Sequence, residues 1–371
     1  MRRDVIDRQV KLMQSAGLDA ILSSSPENFA YVTGFLSPTQ QLMRWRHAMV
    51  LVRADGTVSL LAVDMEASTI RSKAPDVEVA VWQEFKFNAM RILADLIASK
   101  GLAKARIGIE TDYLPAGDFQ QLSGLLPAVR LEPVQAQLAR LRQIKTPDEI
   151  ALLRRLSRLA DKAIVDALRA VKAGFTEMDI AAALMRGLYE QGAENQKLTI
   201  IATGERSVFP NVGPTERVLK NGDICRVEVF PTIQGYISGV CRTAAIGNPP
   251  PHAEEIWANL SACKHLLLEK IKPGARSRAI YDLYLQKVKE LNLPPISFIG
   301  HGIGLHLHED PYLGPTEDQA LEAGMVLGIE PLIYETGHGF GMQNKDMVLV
   351  TEIGCELLSD YTDTDQLIVV G

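Results

Sequence analysis

The tetrapeptide Thr146-Pro147-Asp148-Glu149 divides this chain. A threonine that can cap a helix is followed by proline at the first helical position and by a glutamate able to return a hydrogen bond to the cap. Ile150, Leu153, Leu156, Leu159 and Ile164 then recur near helical spacing. A long helix therefore starts here, with a boundary near Lys145. At 371 residues the chain is long for one hydrophobic core and comfortable for two. Domains are expected over 1–142 and 143–371.

Before the boundary, helical and strand patterns alternate. A helical stretch around Arg8–Ala16 leads into the apolar run from Ala20, and strand-like runs follow at Ala48–Val52, Val58–Val63, Val77–Val81 and Arg106–Ile109. That order predicts an α/β layer domain. Beyond the boundary, Thr176-Glu177-Met178-Asp179 reads as a second helix start. From Ile200 the pattern turns to short strands punctuated by Gly and Pro, with helical stretches near 252–272 and 277–291. This half reads as α+β.

Several function classes are excluded. A net charge of −6, spread along the chain, lacks the concentrated basic surface of a nucleic-acid binder. No apolar run approaches the roughly 20 residues that cross a bilayer, and the basic start MRRDVIDRQ has no following apolar stretch of signal-peptide length. Cys225, Cys241, Cys263 and Cys355 show no CxxC spacing. The expectation is a cytoplasmic protein in a reducing compartment, without nucleic-acid or membrane partners, acting on a small molecule.

The chemistry concentrates in the second half. Ile224-Cys-Arg-Val-Glu-Val-Phe and Tyr236-Ile-Ser-Gly-Val-Cys-Arg-Thr flank a turn-rich segment and predict an antiparallel hairpin. With Ile233 and Gln234 at the tip, Glu228 is expected opposite Gly239 and Arg226 opposite Cys241, all four on one face.

This hairpin, with FPNVGPTERVLKNGD, GHGIGLHLHEDPYL, GMVLGIEPLIY and QNKDMVLVTEIG in order, resembles the creatinase/prolidase/methionine-aminopeptidase family. SPENFAYVTGF and LRQIKTPDEIALLRRL extend the resemblance to members with an added N-terminal domain. It implies a creatinase-type α/β domain followed by a pita-bread domain, a curved antiparallel sheet flanked by helices.

In metal-dependent members five side chains hold two divalent cations. Carried over, those positions are Glu228, Gly239, His301, Glu330 and Lys345. Gly239 and Lys345 fall where the bridging carboxylates would stand. The expectation is therefore a dismantled two-metal centre with no metal ligands and no cofactor. The alternative is one divalent cation on Glu228, His301 and Glu330.

From the chemistry of the residues themselves, Glu330 with Glu228 would activate water, His301 or His308 would pass a proton, and Lys345 would stabilise negative charge or hold the substrate carboxyl. His306 is accessory. The resemblance implies further roles. Asn211 stands where creatinase has its proton-shuttling histidine, and Cys241 where creatinase has a substrate-binding glutamate, so creatinase activity itself is not expected. Arg46 aligns with an arginine that reaches across a homodimer to a substrate carboxylate. The expected function is a metal-independent hydrolase of a C–N bond in a small carboxylate-bearing substrate. The alternatives are a metal-dependent Xaa-Pro dipeptidase or aminopeptidase and a non-catalytic binding protein of the same fold.

Overall fold

The computed structural model describes residues 1–371. They form two compact units, Met1–Leu141 and Arg142–Gly371.

The first unit is a mixed six-stranded sheet. Its strands run, edge to edge, Glu78–Trp82, Val58–Val63, Met49–Arg53, Ala20–Ser23, Arg106–Ile109 and Arg130–Pro133. The helix Ala89–Ser99 lays Met90, Leu93 and Ile97 against Leu22, Leu51, Leu61 and Ile107. Each such side chain contributes about 1.5–3 kcal/mol on burial. One buried carboxylate, Glu110, receives the Ser24 and Ser25 amides at 2.6 and 2.9 Å and so fixes the start of the helix Pro26–Thr33. An α/β layer domain is what the strand and helix pattern predicts, and its creatinase type is what the resemblance implies.

In the second unit, Thr146 caps the helix Pro147–Arg169 through a complete capping box with Glu149, and Thr176 caps Glu177–Glu190 in the same way with Asp179. Two five-stranded sheets follow. One orders Ile368–Val370, Val240–Ile246, Ile224–Ile233 and Asn195–Thr203, with Tyr236–Ile237 also paired to Ile224–Ile233. The other orders Glu309–Tyr312, Gly300–Gly302, Val326–Ile329, Asp346–Val350 and Cys355–Leu357. A single bridge, Cys241 to Lys345, joins them, the Cys241 amide donating to the Lys345 carbonyl at 3.2 Å. This is the pita-bread arrangement, and the seam between its sheets runs through the candidate site.

The hairpin register differs from expectation by two residues. Cys241, not Gly239, stands opposite Glu228, and Thr243, not Cys241, stands opposite Arg226. The tip is Gln234-Gly235 rather than Ile233-Gln234: Ile233 pairs with Tyr236, and the two residues between them have φ of 53° and 87°. A two-residue hairpin turn with both φ positive matches the right-handed twist of its strands, and glycine supplies the second position without strain. A shift of two keeps every side chain on its expected face. It does bring Gly239 against Phe230, and a Cβ on Gly239 would lie 2.6 Å from that ring.

Arg242 locks the seam from behind. Fully buried, it grips Asp161 with two bonds of 2.8 Å and Asp346 with one of 2.8 Å, and donates to the Cys241 and Lys345 carbonyls at 2.9 Å. Burial opposes its charge, but Asp346 and Asp161 hold its pKa above the ordinary value.

Candidate active site

Three strands converge on one buried ammonium. Glu228 comes from the hairpin, Glu330 follows the strand Val326–Ile329, and Lys345 precedes Asp346–Val350. Lys345 Nζ lies 3.0 Å from Glu228 and 3.3 Å from Glu330, and 4.7 Å from the centre of the Phe230 ring. Burial would pull the lysine pKa down, but Glu330 and Glu228 outweigh it and hold the ammonium charged. Glu330 is lowered to about 2: burial raises it, and Lys345 and His301 overcome that. A carboxylate so far below neutral is a weak general base. In this arrangement Glu330 places charge.

His301 sits beside this cluster. Its Nδ1 is 2.7 Å from the Gly302 carbonyl, which can only accept, so Nδ1 carries a proton. Nε2 lies 3.0 Å from Glu330 Oε1, yet neither atom makes a well-aligned hydrogen bond. A histidine whose Nδ1–H is spent on a carbonyl, with Nε2 turned to a carboxylate, has the tautomer of a metal ligand. His308 stacks on His301 at 3.7 Å between ring centres and lies 3.3 Å from the Tyr312 hydroxyl. Burial first, then the proximity of His301 and Lys345, lowers its pKa to about 4, so it is neutral at physiological pH.

The remaining expected residues fall outside the cluster. Cys241 is fully buried, and burial raises its thiol pKa well above the ordinary value, which leaves neither a substrate contact nor a thiolate nucleophile. His306 packs toward Glu309, its amide 3.3 Å from that carboxylate. Asn211 is exposed on the loop whose Phe209 and Pro210 carbonyls accept from the buried Arg226. In the first unit, Arg46 is bound to Glu84 at 2.8 Å.

Two contributors carry no signal of their own in the sequence. Gln343 joins Arg226, at 3.0 Å, to Glu330, at 3.3 Å. Phe230 fills the space that the missing Gly239 side chain leaves. Gln343 stands two residues before Lys345 in a strand-like run, and that alternation is the one cue that could have placed it on the same face.

The sequence profile described as "Metallopeptidase family M24" matches residues 151–352, and the one described as "Creatinase/Prolidase N-terminal domain" matches 6–144. The chain belongs to metallopeptidase family M24. Its M24 relatives include the Xaa-Pro dipeptidase of Pyrococcus furiosus, 27% identical over 363 residues that span 96% of this chain and 98% of the relative. An uncharacterized peptidase of Bacillus subtilis is 26% identical over 355 residues, 94% of this chain and 96% of the relative. Among solved structures, an Xaa-Pro dipeptidase from Bacillus anthracis superposes with a TM-score of 0.85 at 25% identity and 99% coverage of each chain. An X-Pro aminopeptidase from Thermotoga maritima gives 0.86 at 23% identity, with 98% and 99% covered, which speaks to the fold alone.

These matches correct the leading functional expectation. A metal-independent hydrolase without cofactor is not what they support. The family is one of metallopeptidases, and the peptidase alternative is the reading they favour. The chain is a hydrolase of the creatinase/prolidase type. The donor set of this M24 member nonetheless does not fit a pair of divalent cations. No three His, Cys, Asp or Glu side chains are arranged to hold a metal ion. Gly239 offers no donor, and Lys345 brings a positive charge into the space between the two carboxylates.

Proposed function

We propose that this protein hydrolyses the amide bond of short peptides of the Xaa-Pro type. The observation that carries this reading is the near end-to-end likeness to an Xaa-Pro dipeptidase, on a chain that keeps His301, His308 and Glu330 together. The chain's own residues can do defined work in such a site. His308, neutral and partly exposed beside Tyr312, is placed to accept or return a proton at the scissile amide. The Lys345 ammonium and the Nδ1-anchored His301 hold Glu330 as a fixed negative charge. The donors present do not fit the cation pair of the family.

A cytoplasmic setting accords with four free cysteines and with the lack of any helix long and apolar enough to cross a membrane. A homodimer is part of the same proposal. Exposed Leu42 and Trp45 beside Arg46 offer apolar surface for a second copy, and Arg46 would have to leave Glu84 to reach a partner's substrate.

The test is hydrolysis of a panel of Xaa-Pro dipeptides and tripeptides by purified protein, with manganese, cobalt or zinc added and with chelator. Proline release, or release of the residue before proline, is expected. Glu330→Gln should lower kcat at least a hundredfold with the fold intact. Failure to cleave any Xaa-Pro peptide under every metal condition would defeat the reading.

A further inference from the structure

We infer that the Lys345 ammonium and a divalent cation compete for the same Glu228 and Glu330 oxygens, so that Lys345 sets how tightly this site takes metal. Four observations carry it. Both carboxylates already face one cation, 3.0 and 3.3 Å from Lys345 Nζ, in a site where Lys345 is 1% exposed and water cannot screen a second charge. The buried Nε2 of His301 makes no aligned hydrogen bond and faces Glu330 Oε1, the oxygen that also takes the Lys345 contact, so an unused ligand nitrogen points into the cluster. His301 is held by the Gly302 carbonyl in the tautomer that leaves Nε2 for a ligand. Finally, the lysine has no retreat. A Cβ on Gly239 would meet the Phe230 ring at 2.6 Å and the Lys345 stem at 3.2 Å, so ring and stem together fill that side of the site.

Charge counting gives the direction. Glu228 and Glu330 supply two negatives, and Lys345 cancels one. Without the ammonium, the two negatives would match the charge of one divalent cation. With it, an entering cation meets a like charge within contact distance and must displace a side chain that is packed in place.

The experiment measures metal alone, with no turnover, so its outcome is separable from that of the peptidase reading. Manganese affinity is determined by titration calorimetry for the wild type, Lys345→Met, Lys345→Arg and Phe230→Leu. Methionine keeps the volume of the stem and removes the charge. Lys345→Met should bind manganese at least tenfold more tightly than the wild type, while Lys345→Arg should not. Phe230→Leu gives the lysine room to move and leaves every ion pair in place. It should also tighten binding, and it serves if Lys345→Met does not fold. Equal affinity in the wild type, Lys345→Met and Phe230→Leu, or tightest binding in the wild type, overturns the inference.

Discussion

Replacing Glu309 by glutamine should destabilise the protein by about 3 kcal/mol at neutral pH and loosen the segment that carries His308. Glu309 is buried between two cations, 3.0 Å from Lys145 and 3.3 Å from Arg142, and also accepts from the His306 amide. Burial raises its pKa, but Lys145 and then Arg142 bring it from 4.5 to about 2. At about 1.4 kcal/mol per tenfold change in proton affinity, that difference amounts to roughly 3 kcal/mol. A depressed carboxyl contributes stability that is complete above its unfolded value and fades as pH falls through the folded one. The gap between wild type and Glu309→Gln should therefore be constant from pH 8 to about 5 and shrink steadily toward pH 2. Urea denaturation of both proteins across that range measures it, and the difference cancels the other carboxyls. A gap below about 1 kcal/mol at pH 7, or one that does not narrow in acid, would refute the reasoning. Because Gly304, Leu305, His306 and His308 lie on the loop that Glu309 closes, Xaa-Pro turnover should fall in the variant even where it is fully folded.

Three shorter predictions follow from packing and charge. Gly239→Ala should cost about 1–3 kcal/mol, since its Cβ would lie 2.6 Å from Phe230, and Phe230→Leu in the same chain should recover part of that in a denaturation series. Arg242→Lys keeps the charge but loses the two-pronged grip on Asp161, and should lower stability by about 1.5–3 kcal/mol, read as a lower urea midpoint. Cys241 should resist iodoacetamide in the native protein at pH 8 and react only after denaturation, as mass spectrometry of the tryptic peptide will report.

The helix starts were legible because their signals are local. Thr146 and Thr176 each carry the full capping chemistry within four residues, and both helices begin where that chemistry places them. The strand runs Val58–Val63 and Arg106–Ile109 were equally plain from their apolar content. The hairpin register was not, because Ile233, Gln234 and Gly235 allow more than one turn. Only the backbone twist, which demands two positive φ angles, selects Gln234-Gly235. The convergence of Glu228, His301, Glu330 and Lys345 could be read by resemblance. The contact of Lys345 with both carboxylates, the role of Gln343 and the filling of the Gly239 gap by Phe230 depend on how two sheets meet, and no single segment encodes that. Arg46 shows the converse. The resemblance gave it a role across a homodimer, but nothing local in the sequence signals the ion pair that it makes with Glu84.

The buried guanidinium of Arg226 gives the site a fixed geometry on one side. It lies 5.1 Å from the Tyr334 ring centre, donates to two successive loop carbonyls, and reaches Glu330 through Gln343. Swinging the 209–210 segment outward would strip a buried cation of its acceptors, so the position of that segment is tied to the burial of Arg226. The Arg226 side of the cluster is thereby built in with the fold, while the exposed His308 beside Tyr312 is where the cluster meets solvent.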